Sequence, residues 1–169
     1  TSPMRGWEQL ASYTIIMLIR MLALVPAIYL CSLLFGYNLL TLGDWLLPFT
    51  LNMILAGITC GILLISLLLR FGQSAEWFGW MLSWAFIPFM GVYYPLSILP
   101  QPMQWIGEAL PVSHIFEALR SIAAGGTVDP QTVLQATLMN LVYLAGAVCI
   151  FFATLHGARK RGNLLNLNE

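Results

Sequence analysis

Apolar positions along the chain fall into four long runs, about 13–35, 45–69, 77–94 and 132–155, separated by short polar stretches. A helix rises 1.5 Å per residue and a bilayer core is about 30 Å thick, so runs of about 20 apolar residues are read as crossing helices. In lipid every backbone N–H and C=O must be satisfied within the segment, which excludes open strands and leaves helices. The pattern therefore predicts an all-α integral membrane protein with four transmembrane helices. Between the third and fourth runs lies GVYYPLSILPQPMQWIGEALPVSHIFEALR, residues 91–120, which is as apolar as the runs yet carries Pro95, Pro100, Pro102 and Pro111 and three charges.

Those prolines leave no uninterrupted helix longer than about nine residues between Tyr94 and Pro111, or roughly 14 Å, so this stretch cannot cross. It is expected to dip in and return, or to rest at the interface, as short re-entrant or interfacial helices at the outer face. Residues 113–124 predict an amphipathic helix with Ser113 as N-cap and Gly125-Gly126 as stop. Ile115, Phe116, Leu119, Ile122 and Ala123 share one arc; His114, Glu117, Arg120 and Ser121 share the other, which is expected to face water or an exit path.

Within the runs, Pro88 cannot donate to the carbonyl of Trp84 and Gly91 follows within a turn, so the third helix is expected to kink near its outer third. Gly57 and Gly61 have the small-xxx-small spacing of a helix-packing face. Trp77, Trp80 and Trp84 lie along one face of the third run and read as a lipid or packing face. Arg20 lies inside the first run, where a mid-membrane Arg costs about 2.5 to 3.5 kcal/mol on insertion scales. Two readings stand: a side chain extended to the inner interface, or a pair with Glu8 or Glu76.

Composition agrees with the pattern, since 59% of residues are hydrophobic and only 8% charged. The formal charge of zero names no partner, and nothing suggests nucleic acid. Basic residues set an orientation: Arg5, Arg70, Arg159, Lys160 and Arg161 fall on one side under four crossings and only Arg120 on the other. Both ends are then cytoplasmic, with 95–129 at the outer face. No targeting segment is recognised.

Chemistry is sparse. The only lysine, Lys160, has no glycine-rich turn before it, so no ATP-binding P-loop exists here. His114 and His156 are expected on opposite faces, which excludes a His-based metal or haem site. Cys31, Cys60 and Cys149 lack ligand spacing and read as small packing residues. No catalytic, cofactor or metal residue is assigned. Two readings compete with transport: a membrane scaffold or accessory subunit, and a lipid-acting enzyme using Glu108, His114 and Glu117.

The order TSPMRGWEQL, then RFGQSAEWFGW, then PFMGVYYPLSILPQPMQWIGEALPVSHIFEALR resembles the type-2 permease family of ATP-binding-cassette transporters. The most specific part is Pro88 to Arg120, with its Gly-x-x-Tyr-Pro step, two Leu-Pro pairs and terminal Glu-x-x-Arg. The resemblance implies an exporter permease for a drug, lipid or polysaccharide-type substrate, working as two permease copies or two related permeases with a separate ATPase subunit. It implies the C-terminal two-thirds of a six-helix fold. It matches Thr1, Ser2, Pro3, Met4, Arg5, Trp7 and Glu8 to the segment that meets the ATPase. It matches the stretch around Pro88, Gly91, Tyr94, Pro95, Pro100, Pro111, His114, Glu117 and Arg120 to an outer gate.

Overall fold

The computed structural model describes residues 6–36, 38–72 and 75–161. Thr1, Ser2, Pro3, Met4 and Arg5 of the expected coupling segment lie outside the described residues, as does most of the C-terminal tail. All described elements are helical: α1 Gly6–Leu34, α2 Leu46–Phe71, α3 Ala75–Phe86, α4 Gln101–Glu108, α5 Pro111–Ala123 and α6 Pro130–Arg161, with 3-10 segments at Leu39–Trp45, Ile87–Met90 and Leu96–Ile98.

Three helical stretches, Trp7–Leu34, Leu39–Phe71 and Pro130–Ala158, are long and apolar enough to cross a membrane. The third expected crossing, the run 77–94, is not one continuous α-helix. The run 77–94 forms a 12-residue α-helix followed by a four-residue 3-10 turn. Together these rise about 26 Å, less than the roughly 30 Å core. Pro88 is the cause: with no N–H to give Trp84, the chain tightens to 3-10 pairing, and Gly91 then ends the turn in the left-handed region at φ 69°.

The scaffold is the pair α2 and α6. Buried positions on α6, Val133, Ala136, Asn140, Ala147, Phe151, Leu155 and Ala158, recur at steps of three, four or seven residues, and they pack with Phe49, Asn52, Ile58 and Ile62 of α2. Lipid tails are as apolar as leucine, so burial alone does not hold two such helices together. Small residues that allow close approach and interhelical hydrogen bonds do. Asn140 Nδ2 donates to Asn52 Oδ1 at 2.9 Å, and Asn52 Nδ2 donates to Thr137 Oγ1 and to the Pro48 carbonyl, both at 3.0 Å. Asn140 is 1% exposed, and its Oδ1 has no hydrogen-bond partner. Asn140→Ala should weaken the α2–α6 pair by about 0.6 to 1.7 kcal/mol, the measured range for such membrane hydrogen bonds. A double-mutant cycle with Asn52→Ala, read from unfolding of the purified protein, should show coupling between the two sites. Additive effects would mean the amides do not interact.

The other helices attach to this pair. Met17 of α1 occupies the place where a Cβ of Gly61 would be, and Leu64 does the same at Gly79 of α3. Gly57, one turn from Gly61, is half-buried. No residue in the crossing window of α1 is fully buried within this chain, and Ile15, Ile16, Ile19, Leu22 and Leu24 face outward. Trp77, Trp80 and Trp84 of α3 are likewise exposed. The cysteines correct their expected packing role: Cys31, Cys60 and Cys149 are all exposed on the chain's surface.

Candidate functional site

The segment 91–110 is the least regular part of the described fold, and α5 holds it. On its apolar face α5 places Ile115 and Ala118 in a core with Leu42, Phe49, Val128, Val133 and Ala136, drawn from α2, α6 and the connecting segments. Its polar face points back at the broken segment. Ala124, Gly125 and Gly126 close the helix: the Gly126 N–H bonds the Ser121 carbonyl at 2.8 Å and the Gly125 N–H bonds the Ile122 carbonyl at 2.9 Å, with Gly125 at φ 77°. This is a Schellman closure, the stop expected from the glycine pair.

The start of α5 differs from expectation. The helix begins at Pro111, with Leu110 as N-cap, and not at Ser113. Proline at the first helical position loses nothing, because that N–H has no intrahelical partner anyway. Ser113 is therefore inside the first turn, fully buried, and its hydroxyl donates toward the Gly107 and Leu110 carbonyls at 2.5 and 2.6 Å. It ties the end of α4 to the start of α5.

One turn on, Glu117 and Arg120 form an ion pair at 3.0 Å. The same Glu117 oxygen, Oε1, accepts the N–H of Leu96 at 2.9 Å, and Arg120 Nη2 donates to the Gly91 carbonyl at 2.7 Å. These two main-chain groups bracket the irregular stretch between the 3-10 turns. A proline-broken backbone leaves donors and acceptors that lipid cannot satisfy, and the Glu-x-x-Arg pair supplies one of each. His114 completes the arc: its Nε2 lies 2.8 Å from the Glu108 carbonyl, which puts the ring proton on that nitrogen. Tyr143 of α6 donates to the Ala109 carbonyl at 2.7 Å, and Gln104 Nε2 donates to the Leu99 carbonyl at 2.7 Å.

The polar arc, expected to face water or an exit path, also lies against the folded segment through His114, Glu117 and Arg120, while Ser121 bonds the Ala118 carbonyl of its own helix. His114, Glu117, Arg120 and Ser121 are all half-buried, and each makes a hydrogen bond within the protein. The expected dipping part resolves into the 3-10 turn Leu96–Ile98, begun by Pro95, and the eight-residue α4, which Pro100 begins and which carries Pro102 in its first turn. Gly91 and Pro111 are buried, Tyr94 and Pro95 half-buried, and Pro88 and Pro100 exposed. Gly107 is where the pieces touch: a Cβ there would lie 2.6 Å from Leu96 Cδ2 and 2.9 Å from the Phe89 carbonyl oxygen.

This geometry has no acid–base reaction centre. Glu117 Oε1 is committed to a backbone N–H and a guanidinium, and His114 meets the main chain of Glu108 rather than its carboxylate. Among the described residues no group of His, Cys, Asp or Glu could hold a metal.

The profile of the ABC-2 type transporter family matches residues 1–123. The chain belongs to that family. It is an integral membrane component of an ABC transporter, a permease and not itself an enzyme. No curated protein and no solved structure matches the chain. The family match ends at Ala123, the last residue of α5, and so takes in the whole of the segment and its clamp.

Of the other assigned positions, Trp7 is exposed and Glu8 half-buried at the start of α1. The structure brings together Gly91, Glu117 and Arg120. It adds Leu96, Gly107 and Tyr143, which sequence reasoning missed, and it gives Ser113 another role than the cap expected of it. The buried glycine between Ile106 and Glu108 was the one available signal, since a glycine inside a short helix implies a close neighbour.

Proposed function

We propose that the chain is the permease subunit of an exporter. It forms, with a second copy or a related permease, the path for a drug, lipid or polysaccharide-type substrate, and a separate nucleotide-binding ATPase drives it. The reading rests on the family match over 1–123 and its coincidence with the clamped segment. ABC-2 permeases generally work with such an ATPase. Placed by its basic residues, the protein sits in an inner membrane with both ends cytoplasmic. Segment 91–110 is then the outer gate, lined by Pro88, Gly91, Tyr94, Pro95, Pro100, Pro111, His114, Glu117 and Arg120.

In this mechanism ATP-driven closure of the ATPase pair pushes the segment Thr1, Ser2, Pro3, Met4, Arg5, Trp7 and Glu8. The push tilts α1, and the short gate elements separate. Such a change needs a contact whose strength differs between the two states. The Glu117–Arg120 clamp on Gly91 and Leu96 has that character, because both side chains stand on α5 while the two main-chain groups they hold lie on other pieces of chain. Gly57 and Gly61 supply the surface on which α1 moves.

The test is co-purification of a nucleotide-binding protein with the full-length permease, followed by ATP-dependent export from vesicles. Replacing Arg5 and Glu8 together by alanine should cut both ATPase association and export by at least about tenfold, about 1.4 kcal/mol or more of contact energy. Unchanged association and export would remove the coupling assignment. Tight membrane assembly without any ATP-dependent export would favour the scaffold reading instead.

A further inference from the structure

Arg20 stands near the middle of the long helices, at a level set by what α1 packs against. Met17 sits at the level of Gly61, since its terminal methyl fills the space a Cβ there would take. Leu10 and Leu18 pack on the cluster of Ile58 and Ile62, with Ile65 and Leu69 beside them. Arg20 is three residues beyond Met17, away from the Arg70 end of α2. Nine residues separate Gly61 from Arg70, so Arg20 lies about 18 Å above the level of Arg70. The fifteen residues from Leu46 to Gly61 put it about 18 Å below the opposite end of α2. Its own helix agrees: Glu8 is twelve residues away, also about 18 Å.

Arg20 is therefore close to the bilayer mid-plane, and neither expected reading of it survives. An extended Arg side chain covers well under half of the distance to either interface. Glu8 is too far along the same helix to pair with it, and Glu76, three residues nearer the Arg70 end than Gly79, which meets Leu64, lies about 14 Å below its level. Among the described residues Arg20 has no carboxylate or other hydrogen-bond partner, and its side chain is exposed. A guanidinium at this depth is stable against a bundle interior or a water-filled cavity, and not against lipid.

We infer that the face of α1 carrying Arg20 lines the translocation path, and that Arg20 holds the anionic group of the transported molecule, a phosphate or carboxylate. The guanidinium fork matches either group in a bidentate fashion. Ile16 and Leu24, one turn to each side and both exposed, give the apolar part of the cargo a surface. The assignment rests on the permease reading and narrows it to anionic amphiphiles.

Binding to the full-length permease in phosphatidylcholine nanodiscs tests this without the ATPase, using dodecyl phosphate and uncharged dodecyl maltoside as probes. Dodecyl phosphate should bind about tenfold more tightly, as one charge-assisted contact implies. Arg20→Gln should abolish that preference, while Arg20→Lys should keep most of it and Arg70→Gln should leave it intact. Equal affinities in the wild type, a preference that survives Arg20→Gln, or one lost with Arg70→Gln would overturn the assignment. The last outcome would place the anion at the lipid interface.

Should Arg20→Gln fail to fold, Arg20→Cys in a background with Cys31, Cys60 and Cys149 replaced by serine gives a second reading. Aminoethyl methanethiosulfonate, added from water, should label it and restore the preference, whereas the anionic sulfonatoethyl reagent should not restore it. Absence of labelling would show that no water reaches Arg20. Rescue of Arg20→Gln folding by neutralising a carboxylate on another span would assign Arg20 to an interhelical ion pair. Either result sinks the proposal. Export measured in parallel separates the two failures: intact ATP-driven export with no anion preference removes only the role of Arg20.

Discussion

Arg120→Ala should release the segment 91–96 and raise amide hydrogen exchange at Leu96 by at least about tenfold. The substitution removes the donor to the Gly91 carbonyl, leaving a buried acceptor without its partner, and it removes the positive partner of Glu117. Charge-assisted hydrogen bonds contribute about 1.5 to 3 kcal/mol each. Here the side chains of Arg120 and Glu117 are 32% and 37% exposed, so solvent screening moves the expected loss to the low end, about 1.5 to 2 kcal/mol. Glu117→Gln should have a smaller effect, because an amide oxygen can still accept from the Leu96 N–H. Arg120→Lys should fall between, since an ammonium cannot reproduce the fork that reaches Glu117 and Gly91 at once. Wild-type exchange at Leu96 in Arg120→Ala would show that the segment does not depend on this pair.

A second large effect is expected at Gly107, where valine should lower the thermal stability of the purified permease by several degrees. A Cβ at this position would press on two different neighbours. Leu96 Cδ2, at 2.6 Å, ends a side chain that can rotate away. The Phe89 carbonyl oxygen, at 2.9 Å, belongs to the 3-10 turn Ile87–Met90 and can move only with its backbone. Overpacking of this kind costs about 1 to 3 kcal/mol, and each kcal/mol lowers Tm by about 2 to 4 °C in a chain of this size. Alanine should sit at the low end of that range and valine at the high end. A Gly107→Val protein with unchanged melting would mean that α4 and the Phe89 turn do not approach one another.

Long helices were legible in the sequence because lipid imposes a single demand, uninterrupted apolar length. That demand located α1, α2 and α6, and it flagged Pro88 as a break. It could not tell a kinked helix from one that changes to 3-10 pairing, since both follow from the same missing N–H. The end of α5 was legible because Gly125-Gly126 has a strong local preference. Its start was not: Ser113 and Pro111 both favour a helix N-terminus, and the choice fell to Pro111 once Ser113 was buried against Gly107. Glu117 and Arg120 were visible as a pair three residues apart, but their bonds to Leu96 and Gly91 join positions 21 and 29 residues away. Asn140 went unnoticed for a related reason, because its partner Asn52 is 88 residues distant. A hydropathy pattern contains no information on such pairings.

The unequal attachment of the long helices sets which of them can move. Drawing α2 away from α6 would expose Asn52, Thr137 and Asn140 to hydrocarbon with their hydrogen bonds broken. Shifting α1 slides the contacts of Met17, Leu10 and Leu18, which are apolar and equally at home against lipid. At its far end α1 is jointed to the rest by a stretch with two left-handed glycines, Gly36 at φ 75° and Gly43 at φ 55°. On the proposed mechanism the α2–α6 pair and α1 are a fixed post and a hinged leaf: a small tilt begun at the Glu8 end would swing the Arg20 face of α1 while the post stays whole.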